Sequence, residues 1–108
     1  MLRDTDISPR AEIGRGLYLY HGLATVIGKG TVIGTDAVVC QQVTTGGGSK
    51  IGDDVTLLAG AKGYRASDSG DRSEVGANGV VTSGVPAERI AVGISADRHI
   101  PKPRTRPS

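Results

Sequence analysis

From Ile27 to Lys62 the chain repeats every six residues, as IGKGTV, IGTDAV, VCQQVT, TGGGSK, IGDDVT and LLAGAK, and a bulky aliphatic opens five of the six. Few folds have such a period: an alternating strand repeats every two residues and a helix about every 3.6. In phase, the frame continues to first positions at Gly63, Ser69, Val75 and Val81. Backward it needs one shift of two residues just after His21, and then takes in Ile7, Ile13 and Leu19. Ten of the thirteen first positions are Ile, Leu or Val, types that fill 25 of 108 positions and would occupy about three by chance. The fifth positions, among them Ala11, Leu17, Leu23, Thr31, Ala37, Val43, Ser49, Val55, Ala61 and Ser73, are all small or aliphatic. Gly follows the first position in seven hexads, which suggests corners where the backbone takes a positive φ. This pattern predicts an all-β chain wound as a parallel β-helix. Three hexads make a triangular coil of 18 residues, and each coil buries its inward side chains on its neighbours.

The hexads resemble the left-handed parallel β-helix of the hexapeptide-repeat acyltransferases, and the hand comes from that resemblance, because periodicity does not set it. Asp6-Ile7-Ser8-Pro9, Ile13-Gly14-Arg15-Gly16, His21-Gly22, Val43-Thr44-Thr45-Gly46-Gly47 and Gly60-Ala61-Lys62 are similar in order and spacing to serine acetyltransferase, over roughly residues 6–95. The likeness covers only the C-terminal, β-helical portion of that family.

Composition agrees with a thin prism rather than an aromatic-filled globule: there is no Phe or Trp, only three Tyr, and 17 Gly. Residues 1–96 are expected to form the β-helix domain and 97–108 a basic, Pro-rich, disordered tail. The formal charge of +2 resides in that tail: it nets +3, so residues 1–96 sum to −1. With three prolines and no aromatic platform, the tail does not suggest a nucleic-acid partner. The single cysteine, Cys40, has no internal disulfide partner, and no apolar run has the length of a signal segment or membrane span. A cytoplasmic protein with no membrane partner is the expectation.

The frame shift falls within Tyr20–Val26, and insertions in a solenoid are extruded at corners, often on the binding face. Asp6 is expected to stack on Ala24, 18 residues later, at the strand spacing of about 4.8 Å. His21 lies three residues before Ala24, so carboxylate and imidazole meet near one corner. A carboxylate on one ring nitrogen fixes the tautomer and stabilises the imidazolium once formed. By residue types alone, a His beside an Asp is more often structural or solvated than catalytic. The resemblance implies more, since the family's catalytic His matches His21 and its orienting Asp matches Asp6.

What the resemblance implies is direct transfer of an acetyl group from acetyl-CoA to a small hydroxylated acceptor, serine or a sugar. No metal is involved, and the homotrimer holds its sites between subunits. It points to backbone N–H groups near Gly46 and Gly47 as oxyanion donors, and to Ala59, Gly60, Lys62 and Arg89 for contacts with CoA; Arg65 and Arg72 are further candidates for its phosphates, although a surface Arg is more often merely solvated. A flexible corner is an equal reading of the Gly run. The alternative is a truncated trimeric scaffold with weak or no turnover.

Departures from the family bear on the acceptor. The helical N-terminal domain and the Asp-Arg-His loop after the glycines have no counterpart here, and Tyr20 stands where the family has Asp before its catalytic His. Gly63 and Ser69 occupy frame positions meant for aliphatics, and the segment between them reads as polar loop; divergence, an extruded loop or a local reading-frame error fit it alike. Gly28-Lys29-Gly30-Thr31 lacks the spacing of a phosphate loop. Cys40 has no nearby His in the sequence, and two histidines are too few for a three-histidine zinc site.

Overall fold

The computed structural model describes residues 6–20, 25–63, 68–81, 84–93 and 98–101, the last as backbone. The chain winds round three flat faces. The first carries β1 (Asp6–Ile7), β4 (Val26–Ile27), β7 (Thr44–Thr45), β10 (Lys62–Gly63) and β12 (Val80–Val81). The second carries β2 (Glu12–Ile13), β5 (Val32–Ile33) and β8 (Lys50–Ile51), and continues as bridges from Ile51 to Ser69 and from Ser69 to Val85. The third carries β3 (Tyr18–Leu19), β6 (Val38–Val39), β9 (Thr56–Leu57), β11 (Glu74–Val75) and β13 (Arg89–Val92), with β14 (Arg98–Pro101) at its edge. Every coil-to-coil pair is parallel, so the fold is a parallel β-solenoid.

Burial follows the hexad frame. First-position Ile27, Ile33, Val39, Ile51, Leu57, Val75 and Val81 and fifth-position Ala37, Val43, Val55 and Ala61 form the core. Thr31, Thr45, Ser49, Ser69 and Ser73 are buried among them. The interior is narrow, so small side chains fill it and aromatic rings are not needed. One end is less covered than the other. Ile7, Ala11, Ile13, Leu17 and Leu19 of the first coil are only partly buried, whereas Ala91 in β13 is fully buried.

The register corrects three expectations. Asp6 pairs with Val26, not Ala24, because the two extra residues lengthen the whole first coil: Glu12 pairs with Val32 and Tyr18 with Val38. Thr25, fully buried, is the inward residue before β4; Leu23, which the frame named, lies outside the described residues. At the other end, Glu74 pairs with Ile90 and Ser69 with Val85, so the last coil is two residues short and Val85 sits in a first-position column.

The glycines after the first positions do not serve positive φ. That conformation belongs to the last residue of each corner, as in Gly30, Asp36, Gln42, Gly48, Asp54 and Asn78. The earlier glycines are required by close approach between coils: a Cβ on Gly14 would lie 2.7 Å from the Gly34 carbonyl oxygen, and one on Gly28 2.8 Å from that of Thr45.

The expected tail also differs at its start. Arg98–Pro101 form β14, antiparallel to β13, with Ile90 opposite Ile100. An open edge of the last coil would leave backbone groups unpaired, and this strand pairs them. Residues 102–108 lie outside the described residues.

Through the irregular segment the register holds. Gly63 pairs with both Thr45 and Val81, and Ser69 is buried between Ile51 and Val85. Two small side chains in aliphatic positions leave a cavity of about 20 Å³ bounded by Gly63, Ser69, Leu57, Val75 and Val81 among others.

The Ser73 hydroxyl is fully buried with no hydrogen-bond partner among the described residues. An unsatisfied buried hydroxyl costs about 1–3 kcal/mol, so Ser73→Ala is expected to stabilise the fold by about 1 kcal/mol, read as a higher denaturation midpoint. A lower midpoint would mean that the hydroxyl has a partner.

Candidate functional site

Among the described residues, three corners stack along the edge between the third and first faces, the turns at Gln41–Gln42, Ala59–Gly60 and Ala77–Asn78. Residues 21–24, of which His21 is the first, lie outside the described residues. Tyr20, before it, still belongs to the ladder, its N–H donating to the Val39 carbonyl at 2.8 Å; Asp6 donates its N–H to the Thr25 carbonyl at 2.8 Å. Asp6 is thus backbone-bonded to the residue that ends the inserted segment, four positions after His21. Its side chain is exposed, and its carboxylate has no hydrogen-bond or ion-pair partner among the described residues.

Lys62 lies on the first face in the same column as Asp6, Val26 and Thr44. Its ammonium is already engaged, donating to the Gln42 carbonyl at 2.8 Å and the Gly60 carbonyl at 3.1 Å. Those carbonyls belong to the last residues of two stacked corners, both at positive φ, so Lys62 ties one corner to the next. Gly60 is buried and Ala59 half-buried on this edge. A Cβ on Gly60 would run into the Asn78 side chain of the next coil.

Gly46 and Gly47 sit on the other edge of the first face, and the structure separates their roles. The Gly46 N–H is committed to the ladder, bonded to the Gly63 carbonyl at 2.7 Å. The Gly47 N–H has no partner among the described residues, and the residue is partly exposed. Gly48 follows at positive φ with open space where its Cβ would be. This corner therefore offers one free backbone donor, a distinction the sequence did not contain.

Arg89 is exposed at the start of β13, opposite Pro101. Arg72 is also exposed and donates to Glu88 at 2.9 Å. That hydrogen bond first, then the Glu88 charge, raises its already high pKa. Arg65 lies outside the described residues.

Known proteins share this sequence and this fold. Serine acetyltransferase from Helicobacter pylori (strain ATCC 700392 / 26695) is 42% identical over 84% of this chain and 58% of its own length; that from Staphylococcus aureus (strain Mu50 / ATCC 700699) is 38% identical over 82% and 46%. Serine acetyltransferase from Vibrio cholerae superposes with a TM-score of 0.88 at 34% identity, covering 94% of this chain and 42% of that one. The chain is a homologue of the β-helical portion of serine acetyltransferase. It belongs with the hexapeptide-repeat acyltransferases, and spans about half the length of the curated relatives it matches. A serine acetyltransferase in complex with CoA superposes with a TM-score of 0.85 at 36% identity, over 89% of this chain and 42% of that one. Superposition by rotation cannot match mirror images, so the homologue's coils share the hand of that family. No protein-family model matches the chain.

Because the exposed Asp6 carboxylate has no hydrogen-bond or ion-pair partner among the described residues, Asp6→Asn is expected to leave stability within about 0.5 kcal/mol of the wild type, as for other exposed positions. Thermal unfolding checks this; a drop of several degrees would make Asp6 a structural residue.

Proposed function

We propose that this serine acetyltransferase homologue is itself a CoA-dependent O-acetyltransferase, with His21 as general base and Asp6 as its orienting carboxylate. The observation that carries the reading is the placement of Asp6. Asp6, whose exposed carboxylate has no partner among the described residues, donates its backbone N–H to Thr25, the residue that follows the inserted segment, and in the sequence that segment begins with His21. Kinship with enzymes whose relatives include a CoA complex supports acetyl-CoA as the donor.

In this mechanism His21 accepts the proton of the acceptor hydroxyl as its oxygen attacks the thioester carbonyl. Negative charge builds on the former carbonyl oxygen, and the free Gly47 N–H donates to it. Gly46 cannot, since its N–H is spent on Gly63. Collapse breaks the carbon–sulfur bond, and the imidazolium returns its proton to the departing CoA thiolate. Asp6 holds the ring in the tautomer that leaves one nitrogen free and favours the charged form. Lys62 keeps the Ala59–Gly60 corner in shape through its two carbonyl contacts rather than serving as a free phosphate ligand.

The same geometry supports a trimer. Tyr20, the residue before His21 in the chain, ends the third face where it meets the first, and the Gly47 N–H lies at the first face's other edge, separated by one side of the triangle, on the order of 15–20 Å for a hexad at strand rise. A thioester carbonyl cannot touch both edges within one chain. Two copies laid edge to edge bring the edge that Tyr20 reaches in one against the Gly47 edge of the other, and closed three-fold symmetry repeats that contact without a free end.

His21→Ala is expected to lower turnover at least about 10²-fold, the lower range for general-base assistance, while acetyl-CoA binding is retained. Asp6→Asn should follow it, and the double variant should lose far less than the product of the two, because the residues act as a unit. Steady-state kinetics with calorimetric CoA binding checks both. Unchanged turnover in His21→Ala would leave the scaffold reading. Sedimentation of the wild type should give a trimer at micromolar concentration; a folded monomer would remove the shared site.

A further inference from the structure

Thr31 is fully buried in an interior built mainly of aliphatic side chains. The register places Ala11 before it and Ser49 after it in one inward column, so the column does not need a hydroxyl on every coil. The Thr31 hydroxyl donates to the Gly46 carbonyl oxygen at 3.1 Å. The Thr45 hydroxyl, at 3.5 Å, is too far to compete for the proton. What this bond holds is a peptide unit, because the Gly46 carbonyl and the Gly47 N–H belong to the same one. No cis peptide bond occurs among the described residues, and in a trans peptide the carbonyl and the N–H point to opposite sides. With the carbonyl drawn inward to a buried hydroxyl, the Gly47 N–H faces out of the prism, and it has no partner among the described residues.

The glycine run does not fix that orientation by itself. Gly46, Gly47 and Gly48 have no Cβ to restrict their backbone. The turn bond that closes this corner, Ser49 N–H to the Gly46 carbonyl, is 3.4 Å long, against 2.9–3.2 Å for the same bond at the corners that begin with Ser8, Gly28, Leu58, Gly70 and Gly76. Ordinary N–H···O bonds span about 2.7–3.2 Å, so the Thr31 hydroxyl is the stronger partner of that carbonyl. The peptides on either side are anchored independently: the Gly46 N–H bonds to the Gly63 carbonyl at 2.7 Å and the Gly48 N–H to the Lys29 carbonyl at 3.0 Å. Only the middle peptide depends on Thr31. We propose that Thr31 is a positioning residue whose buried hydroxyl sets the Gly46–Gly47 peptide so that the Gly47 N–H points outward as an anion donor. This deepens the acetyltransferase reading and rests on it for the identity of the anion, the former thioester carbonyl oxygen. Thr31 itself touches no reacting atom and acts through the peptide.

Thr31→Val removes the hydroxyl and keeps a branched side chain in the column, whereas Thr31→Ser keeps the hydroxyl and drops the methyl. In the full chain, the one-bond N–H residual dipolar coupling of Gly47, measured by NMR in a weakly aligned sample, reads the direction of that N–H without any turnover. It is expected to change in Thr31→Val and to keep its wild-type value in Thr31→Ser, while the ladder couplings of Val32 and Gly34 stay constant in both. Thr31→Ala, with the residue that Ala11 already places in this column, gives the same reading should Val not fit. Removing one oxyanion donor outright costs about 10²–10³ in kcat, so Thr31→Val is expected to lower kcat at least about tenfold. KM for acetyl-CoA and for the acceptor should be unchanged, and Thr31→Ser should restore most of the rate. An unchanged Gly47 coupling in Thr31→Val would overturn the proposal. So would a changed coupling with full kcat, since the N–H would then take no part in the reaction, or a loss of rate that Thr31→Ser shares, which would mark a packing role. A changed coupling in a protein whose wild type transfers acetyl to no hydroxyl would uphold the positioning and sink the acetyltransferase reading instead.

Discussion

The structure depends on one interaction, the parallel backbone ladder between successive coils at fixed register. Each coil donates to the next through pairs such as Val32 N–H to Ser49 carbonyl and Gly34 N–H to Ile51 carbonyl. Because the ladder keeps coils at strand spacing, about 4.8 Å, every inward residue stacks on its equivalent above and below. That is why Ile33 and Ile51 form one column and Ala37 and Val55 another, all buried. It also explains the glycines that open each corner: at this separation a Cβ on Gly28 would collide with the next coil's carbonyl. The columns bury little per coil, so stability is a sum of nearest-neighbour contacts rather than one deep core.

Constant register makes a change in coil length a local event with a visible consequence. The first coil carries two residues more than the standard and the last two fewer. In the first, strands β1 to β3 still pair residue for residue with β4 to β6, so the whole surplus falls between Tyr20 and Thr25. A ladder that tolerates no slippage thus concentrates its irregularity beside Asp6. In the last coil the deficit falls between Val81 and Val85, and β13, longer than the strands below it, takes β14 as its edge partner.

Much of this was legible in the sequence because a solenoid writes its contacts at short range. The period of six named the buried positions, and the break in phase named the inserted corner. What was misread concerns how strands on different coils meet. The Asp6 partner was counted without the two inserted residues, which gave Ala24 instead of Val26. The glycines were assigned to positive φ, when corners place Asp36, Gln42, Asp54 and Asn78 in that conformation and Asn and Asp are the non-glycine residues most tolerant of it. The division of labour between Gly46 and Gly47 is invisible in a run of three glycines, because it depends on the Gly63 carbonyl one coil away. The strand at Arg98–Pro101 was hidden by its prolines and charges, features that suit an edge strand as well as a tail.

The irregular segment Gly63–Ser69 shows what the ladder demands and what it leaves free. Both ends stay paired on two sides, Gly63 with Thr45 and Val81 and Ser69 with Ile51 and Val85. The backbone contribution of this coil is therefore kept, and what is lost is side-chain volume, seen as the small cavity beside Leu57 and Val75. Loss of two aliphatics forfeits about 3–6 kcal/mol of burial, distributed over one coil of several. A globule with a single shared core would lose its packing around such a defect, but here the coils on either side keep their own columns. The ladder carries register past the defect from β9 to β11, where Thr56 still pairs with Glu74 and Leu57 with Val75. That continuity keeps the Ala59–Gly60 corner and the Gly47 N–H in place on their two edges while the chemistry of the neighbouring hexad varies.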